Sequence, residues 1–84
     1  MYPIHVACST KSEEILKTLL ERAINVDMYD HKHRTPLHIA SKKNWKEGVI
    51  MLIKAGADKN ILTPDKMLPI DLTSDESIKE ILKE

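Results

Sequence analysis

A chain of 84 residues forms at most one small domain, close to the lower size limit for a stable single core. Thirteen Lys and Arg residues balance thirteen Asp and Glu residues, so the net charge gives no reason to expect binding to nucleic acid or to an anionic membrane. A single cysteine excludes an internal disulfide and fits a reducing compartment, and no apolar run reaches the roughly 20 residues of a membrane span. These features predict an intracellular protein, most simply a cytoplasmic one.

One short motif occurs three times along the chain, at equal intervals. Its copies cover residues 3–7, 36–40 and 69–73. After the first two copies the match continues through paired positions: Leu16 with Val49, Leu19 with Leu52, Leu20 with Ile53, and Asn25 with Asp58. The third copy keeps the interval through Thr73 and then loses four residues. This regularity predicts a repeat architecture, in which each unit covers the apolar face of its neighbour.

The first copy has Pro3 at its helix start but Tyr2 in place of a capping hydroxyl residue. A second helix follows, with apolar residues at Ile15, Leu16, Leu19 and Leu20. A terminal repeat normally carries a polar outer face. The positions predicted for the outer face of this copy are nevertheless all apolar: Ile4, Val6, Ile15 and Leu19. We therefore expect earlier repeats or a second chain to cover this face.

The middle copy contains a complete helix-start signal. Thr35 is a capping residue, and Pro36 occupies the first helical position, where a missing N–H costs nothing. The inner face of this first helix comprises Leu37, Ile39 and Ala40, and the helix is expected to end near Lys42 and Lys43.

A second helix is predicted to follow, with Asn44 as its N-cap and Glu47 completing a capping box. Its buried stripe has the helical spacing i, i+3, i+4 at Val49, Leu52 and Ile53. Gly56 then suits a left-handed C-terminal cap.

The third copy has the features of a closing unit. Leu68 replaces the capping threonine, Asp71 replaces the motif histidine, and Ser74-Asp75-Glu76 provides an N-cap with acids in the first turn. The final helix is expected to expose its charged residues Lys79, Glu80, Lys83 and Glu84. We therefore expect residues 64–84 to end the array.

The 33-residue period and the segment Thr35-Pro36-Leu37-His38-Ile39-Ala40 resemble the ankyrin repeat. The resemblance covers one domain, residues 1–84, as about two and a half repeats: a truncated repeat at 1–30, a full one at 31–63 and a shortened one at 64–84. It implies an all-α solenoid of stacked antiparallel helix pairs joined by hairpin-like loops. It also implies a non-catalytic module that binds another protein, with no cofactor.

Several residues could carry chemistry but have simpler structural interpretations. His5 and His38 share one repeat position, and the resemblance implies that this histidine bonds the threonine hydroxyl and nearby backbone. Cys8 lies three residues after His5, yet it occupies the small-residue position of Ser41 and Ser74, which favours a buried, inert thiol over a nucleophile.

The segment Asp30-His31-Lys32-His33 is the best metal-like cluster, but no second ligand pair supports it, so an exposed turn is favoured and no metal is predicted. The family normally has glycine where His33 and Lys66 stand. If both turns keep a positive φ, each carries a modest strain that glycine would relieve.

Charge is concentrated in the middle of the chain. Residues 31–46 contain five basic residues and no acid, whereas residues 1–30 total −2, residues 47–70 total zero and residues 71–84 total −3. In the ankyrin architecture the hairpin tips and first-helix ends line one concave face. The partner-binding residues predicted there are His31, Lys32, Arg34, Lys42, Lys43, Asp65 and Met67, with Ser9 and Thr10 beside them. A partner with an acidic surface and an ordinary solvated face both remain open.

Three functions follow from different classes. The first is a protein-binding module that uses the concave face. The second is a regulatory or targeting segment of a larger enzyme, channel or effector. The third, nucleic-acid binding through the basic segment, is disfavoured by the repeat pattern and the acidic flanks.

Overall fold

The computed structural model describes residues 2–22 and 25–83. In that part of the chain it contains six helices and no strand: α1 (Pro3–Ser9), α2 (Glu13–Glu21), α3 (Pro36–Lys42), α4 (Lys46–Lys54), α5 (Pro69–Leu72) and α6 (Glu76–Lys83). Consecutive helices pair as α1 with α2, α3 with α4, and α5 with α6. The first helices also pack in a row, as do the second helices. The predicted all-α stack of helix pairs is confirmed.

The core is aliphatic and runs through all three helix pairs. Each pair contributes residues at helical spacing: Ile4, Ala7, Cys8 and Leu16 from the first, Leu37, Ala40, Val49 and Leu52 from the second, and Ile78 and Leu82 from the third. Trp45 is also buried and belongs to this core. Ile53 is half-buried and packs against this cluster.

The start of α3 matches the sequence prediction. The Thr35 hydroxyl accepts a hydrogen bond from the His38 N–H, and Pro36 is the first helical residue. Gly56 has a φ of 94°, as predicted for a left-handed residue after α4.

The last helix is also close to its prediction. Asp75 Oδ1 accepts from the Ser77 N–H at 2.8 Å, which caps α6. Glu80 and Lys83 are exposed as expected, whereas Lys79 is half-buried. The predicted exposure of Glu84 lies outside the described residues.

The capping box predicted at Asn44 and Glu47 is wrong. Trp45 precedes the first residue of α4, and Asn44 instead closes α3 in the left-handed conformation, with a φ of 54°. The Trp45 N–H donates to the Ala40 carbonyl at 2.9 Å, which is the six-residue closure typical of a helix C-terminus. Lys11, at the same position one repeat earlier, has the same left-handed conformation at the end of α1, with a φ of 56°. The first helix of both repeats therefore ends at this position.

The Asn44 side chain links the second helix pair to the third. Its Oδ1 accepts from the Thr73 hydroxyl at 2.6 Å and from the Ser74 N–H at 3.2 Å. These bonds hold the segment that joins α5 to α6.

Ile4 was expected on the open outer face, and this is also wrong. It is 1% exposed, because in α1 it shares the i, i+3, i+4 stripe of Ala7 and Cys8 that packs into the core. Val6 and Ile15, by contrast, are exposed as expected.

Candidate functional site

Two turns of the same geometry precede α3 and α5. In the first, the Asp30 N–H donates to the Arg34 carbonyl and the His33 N–H to the Asp30 carbonyl, both at 2.9 Å. The second turn repeats these bonds one repeat later. The Thr63 N–H donates to the Met67 carbonyl at 3.0 Å, and the Lys66 N–H donates to the Thr63 carbonyl at 2.8 Å. Such hairpin-like turns need one left-handed residue.

His33 and Lys66 take that left-handed position, with φ of 57° and 62°. The positive φ considered from the sequence is therefore present in both turns, without the glycine that usually adopts it.

Asp30 fixes the first turn and its arginine. Its Oδ1 accepts from the N–H groups of Lys32 and Arg34 at 2.9 Å, and its Oδ2 accepts from the Arg34 guanidinium at 2.9 and 3.0 Å. Burial alone would raise the pKa of this carboxyl, but the donated hydrogen bonds outweigh it and hold the pKa below its usual value. Asp30 is therefore a structural anion, and its oxygens are already engaged.

Two clefts lie beside these turns, and we call them the basic clefts. The first has a volume of about 260 Å³ and is lined by Lys32, Arg34, Lys42, Thr63, Pro64, Asp65, Met67 and Leu72. The second has a volume of about 190 Å³ and is lined by Ser9, Arg34, Ile39, Lys42 and Lys43. Arg34 and Lys42 belong to both, so the clefts adjoin.

The basic clefts gather six of the seven residues predicted to bind a partner: Lys32, Arg34, Lys42, Lys43, Asp65 and Met67. His31 is exposed on the first turn and lines neither cleft. Of the two flanking residues, Ser9 lines a cleft, whereas the Thr10 hydroxyl donates to the Val6 carbonyl at the end of α1.

The free positive charge of the clefts comes from lysines. The Arg34 side chain is 24% exposed and its charge is paired with Asp30, whereas Lys32, Lys42 and Lys43 are exposed. Apolar surface from Met67 and Leu72 lies among them. This arrangement can bind a partner that has carboxylates next to aliphatic side chains. Each ion pair with a solvent-exposed lysine contributes only a modest energy.

The repeated histidines support the walls of these clefts. His38 Nε2 lies 3.2 Å from the Met67 carbonyl oxygen, and His5 Nε2 lies 3.0 Å from that of Met28 and 3.2 Å from that of Arg34. Both rings are fully buried. The predicted contact between this histidine and the motif threonine is confirmed for His38, whose Nδ1 is 2.7 Å from Thr35 Oγ1. His5 has no such partner, because Tyr2 stands in the threonine position.

Cys8 is fully buried, and burial raises the pKa of its thiol to about 12. The thiol therefore stays protonated at neutral pH, as expected for an inert residue. Among residues 2–22 and 25–83, no group of three or more His, Cys, Asp or Glu side chains is arranged to hold a metal ion.

Two exposed apolar residues beside the turns were not predicted from the sequence. Tyr29 and Leu62 are 48% and 53% exposed, occupy equivalent positions of successive repeats and precede the first residue of each turn. The Tyr29 ring meets the His33 ring edge-on, with centroids 6.1 Å apart. A large apolar residue at one register before two polar turns was the signal that could have identified them.

Comparison with known proteins decides the family. A family profile described as "Ankyrin repeats (3 copies)" matches residues 1–63. The chain belongs to the ankyrin repeat family. Ankyrin repeats are generally non-catalytic modules of protein–protein interaction.

Relatives of this ankyrin repeat chain include larger proteins. It is 34% identical over 80 residues to ankyrin repeat and SOCS box protein 11 of Danio rerio. The aligned segment covers 95% of this chain and 27% of that protein. It is 37% identical over 68 residues to ankyrin repeat domain-containing protein 40 of Homo sapiens, an alignment that covers 80% of this chain and 18% of that protein. A third relative, alpha-latrocrustotoxin-Lt1a of Latrodectus tredecimguttatus, is 33% identical over 76 residues, and the alignment covers 89% of this chain and 5% of that protein. The chain thus spans about a quarter or less of these relatives. No helix in its described residues is long and apolar enough to cross a bilayer.

Proposed function

We propose that this chain binds another protein through the basic clefts and has no catalytic activity of its own. The supporting observation is that two adjoining clefts bring together Lys32, Lys42 and Lys43 around a fixed Arg34, with Met67 as apolar surface. A partner with acidic side chains next to aliphatic ones would match this surface in charge and polarity. Residues 1–84 act as one domain inside the cell, composed of three repeats at 1–30, 31–63 and 64–84.

A capture experiment with matched variants tests this proposal. Wild-type protein, Lys42→Glu/Lys43→Glu and the control Lys17→Glu/Lys54→Glu are used as bait for cell extract in parallel. The control reverses two exposed lysines that lie on a different cleft, between α2 and α4, so both variants change the net charge equally. Proteins that bind wild type and control but not the cleft variant are the expected result.

The affinity of each such protein is then measured at two salt concentrations. Because exposed charges are screened by salt, affinity through lysines should fall as ionic strength rises. Partners that bind all three baits equally would show that the basic clefts are not the binding surface.

The second candidate is a regulatory or targeting segment within a larger protein. It is favoured by the small share of each relative that this chain covers, 27% or less for the three named above. The two candidates are compatible, since a segment of this kind would also act by binding a protein.

A further inference from the structure

One face of the stack is apolar and open. We call it the N-terminal face: Val6 on α1, together with Ile15, Thr18 and Leu19 on α2, flanked by Glu14 and Arg22. The α2 residues line a shallow groove of about 480 Å³. Val6 is 39% exposed and Ile15 47% exposed.

The internal repeat shows that this face is built to be covered. In the next repeat its positions correspond to Ile39, Gly48 and Leu52, and all three of those residues are buried in the second helix pair. In the first repeat, Val6 and Ile15 are exposed at these positions and Leu19 is half-buried. Contiguous exposed apolar side chains rimmed by polar residues mark sites of protein–protein interaction.

The opposite end of the stack is an unsuitable partner for this face. There α6 exposes Glu76, Ser77, Glu80 and Lys83. Head-to-tail association would bury these polar groups against Val6 and Ile15 and remove them from water, which is unfavourable. It would also continue indefinitely, since nothing closes such a contact.

The N-terminal face is complementary to itself. Glu14 lies in the first turn of α2 and Arg22 directly after its last residue, so the apolar part of the groove has an acid at one end and a base at the other. Eight residues of helix place them about 12 Å apart along the axis. If a second α2 runs antiparallel about a two-fold axis near Thr18, each Glu14 meets the partner's Arg22. Ile15 and Leu19 are then enclosed between the two ion pairs.

We propose that two copies of this chain associate through their N-terminal faces, with α2 of one copy antiparallel to α2 of the other. The contact is isologous, so it closes at a dimer. None of the groove residues lines the basic clefts, and partner binding and dimer formation can therefore be separated by mutation.

Sedimentation velocity of the 84-residue chain, from about 1 μM to about 1 mM, measures the association. We expect a monomer–dimer equilibrium. Ile15→Asp should raise the dissociation constant at least about tenfold, because it buries a charge at the contact. Lys17→Glu, on another face of the same helix, should change it by less than about twofold. Both side chains are exposed in the single chain, so the far-UV circular dichroism should stay that of wild type.

A charge exchange tests the antiparallel geometry. Glu14→Arg makes both ends of the groove basic, and Arg22→Glu makes both ends acidic, so each variant alone should associate more weakly than wild type. An equimolar mixture of the two pairs every acid with a base and should restore the dimer.

Four results would overturn the proposal: a monomer at every concentration, assemblies that keep growing with concentration, a dimer indifferent to Ile15→Asp, or a mixture that stays monomeric. The first of these is what a face made only for another ankyrin repeat would give.

Discussion

Nδ1 of His38 lies 2.7 Å from the hydroxyl oxygen of Thr35 and accepts a hydrogen bond from the Thr35 N–H at 3.2 Å. Because an N–H group can only donate, Nδ1 carries a lone pair and the proton of the ring is on Nε2. That proton is donated to the Met67 carbonyl at 3.2 Å. One neutral imidazole thus joins the start of α3 to the turn before α5.

This neutral ring makes stability depend on pH. Burial lowers the pKa of His38 below its ordinary 6.5, an effect that the Met67 and Ile61 carbonyls oppose only in part. As pH falls below 6.5, the unfolded chain takes up a proton that the folded chain still refuses. The stabilisation is therefore complete above about pH 6.5 and is lost as pH falls through 6.5 towards the folded pKa.

Urea unfolding of wild type and His38→Asn at several pH values between about 7.5 and 5 isolates this contribution. Wild type should be the more stable at the alkaline end, and the difference between the two free energies of unfolding should shrink towards the acid end. A difference that stays constant over the whole range would contradict a neutral, buried His38.

Packing between helix pairs predicts a contrast between two leucines. Leu52 is fully buried in the core, whereas Leu62, just before the turn that leads to α5, is 53% exposed. Leu52→Ala should lower the free energy of unfolding by about 2–5 kcal/mol, because it leaves a cavity. Leu62→Ala removes the same atoms from the surface and should change it by less than about 0.5 kcal/mol. Equal effects in thermal melts would show that the core assignment is wrong.

Gly48 in α4 has a steric reason to be glycine. A Cβ built at this position would overlap the indole ring of Trp45. In an ordinary helix, Gly→Ala stabilises by about 1 kcal/mol. Here the clash should dominate, and Gly48→Ala should destabilise by about 1–3 kcal/mol.

A double-mutant cycle separates the two effects. In a Trp45→Ala background the ring is gone, so Gly48→Ala should become neutral or stabilising. The stability of all four proteins can be measured by denaturant unfolding. If alanine at position 48 costs the same in both backgrounds, the ring contact is not its cause.

The repeat register explains which features could be predicted from the sequence. The helical spacing of Leu37, Ala40, Val49 and Leu52 is a local property of the chain, and it predicted their burial correctly. Because the repeat interval is regular, the two turns lie side by side. Most of the residues predicted to bind a partner therefore line the same pair of adjoining clefts. Whether a side chain points into a cleft depends on its own orientation, and His31 shows that register alone does not decide this.

Asn44 shows the other limit of the sequence. Asparagine suits both a helix N-cap and a left-handed helix end. Here Asn44 ends α3, as Lys11 ends α1 one repeat earlier, and its side chain contacts Thr73 and Ser74 of the next repeat. Local pattern contains no information about such a tertiary partner. Tyr29 and Leu62 were missed for a related reason, since an apolar residue beside a turn is equally typical of a core position.

Lys66 is the left-handed residue of the second turn, with a φ of 62° and an exposed side chain. A non-glycine residue pays about 1–2 kcal/mol for this conformation, whereas glycine adopts it freely but loses more entropy on folding. Lys66→Gly should therefore raise the free energy of unfolding by about 0.5–1 kcal/mol. Pro64→Gly serves as the control, because it loosens the same turn without relieving a positive φ, and it should destabilise. If Lys66→Gly destabilises as well, the turn does not hold Lys66 in a strained conformation.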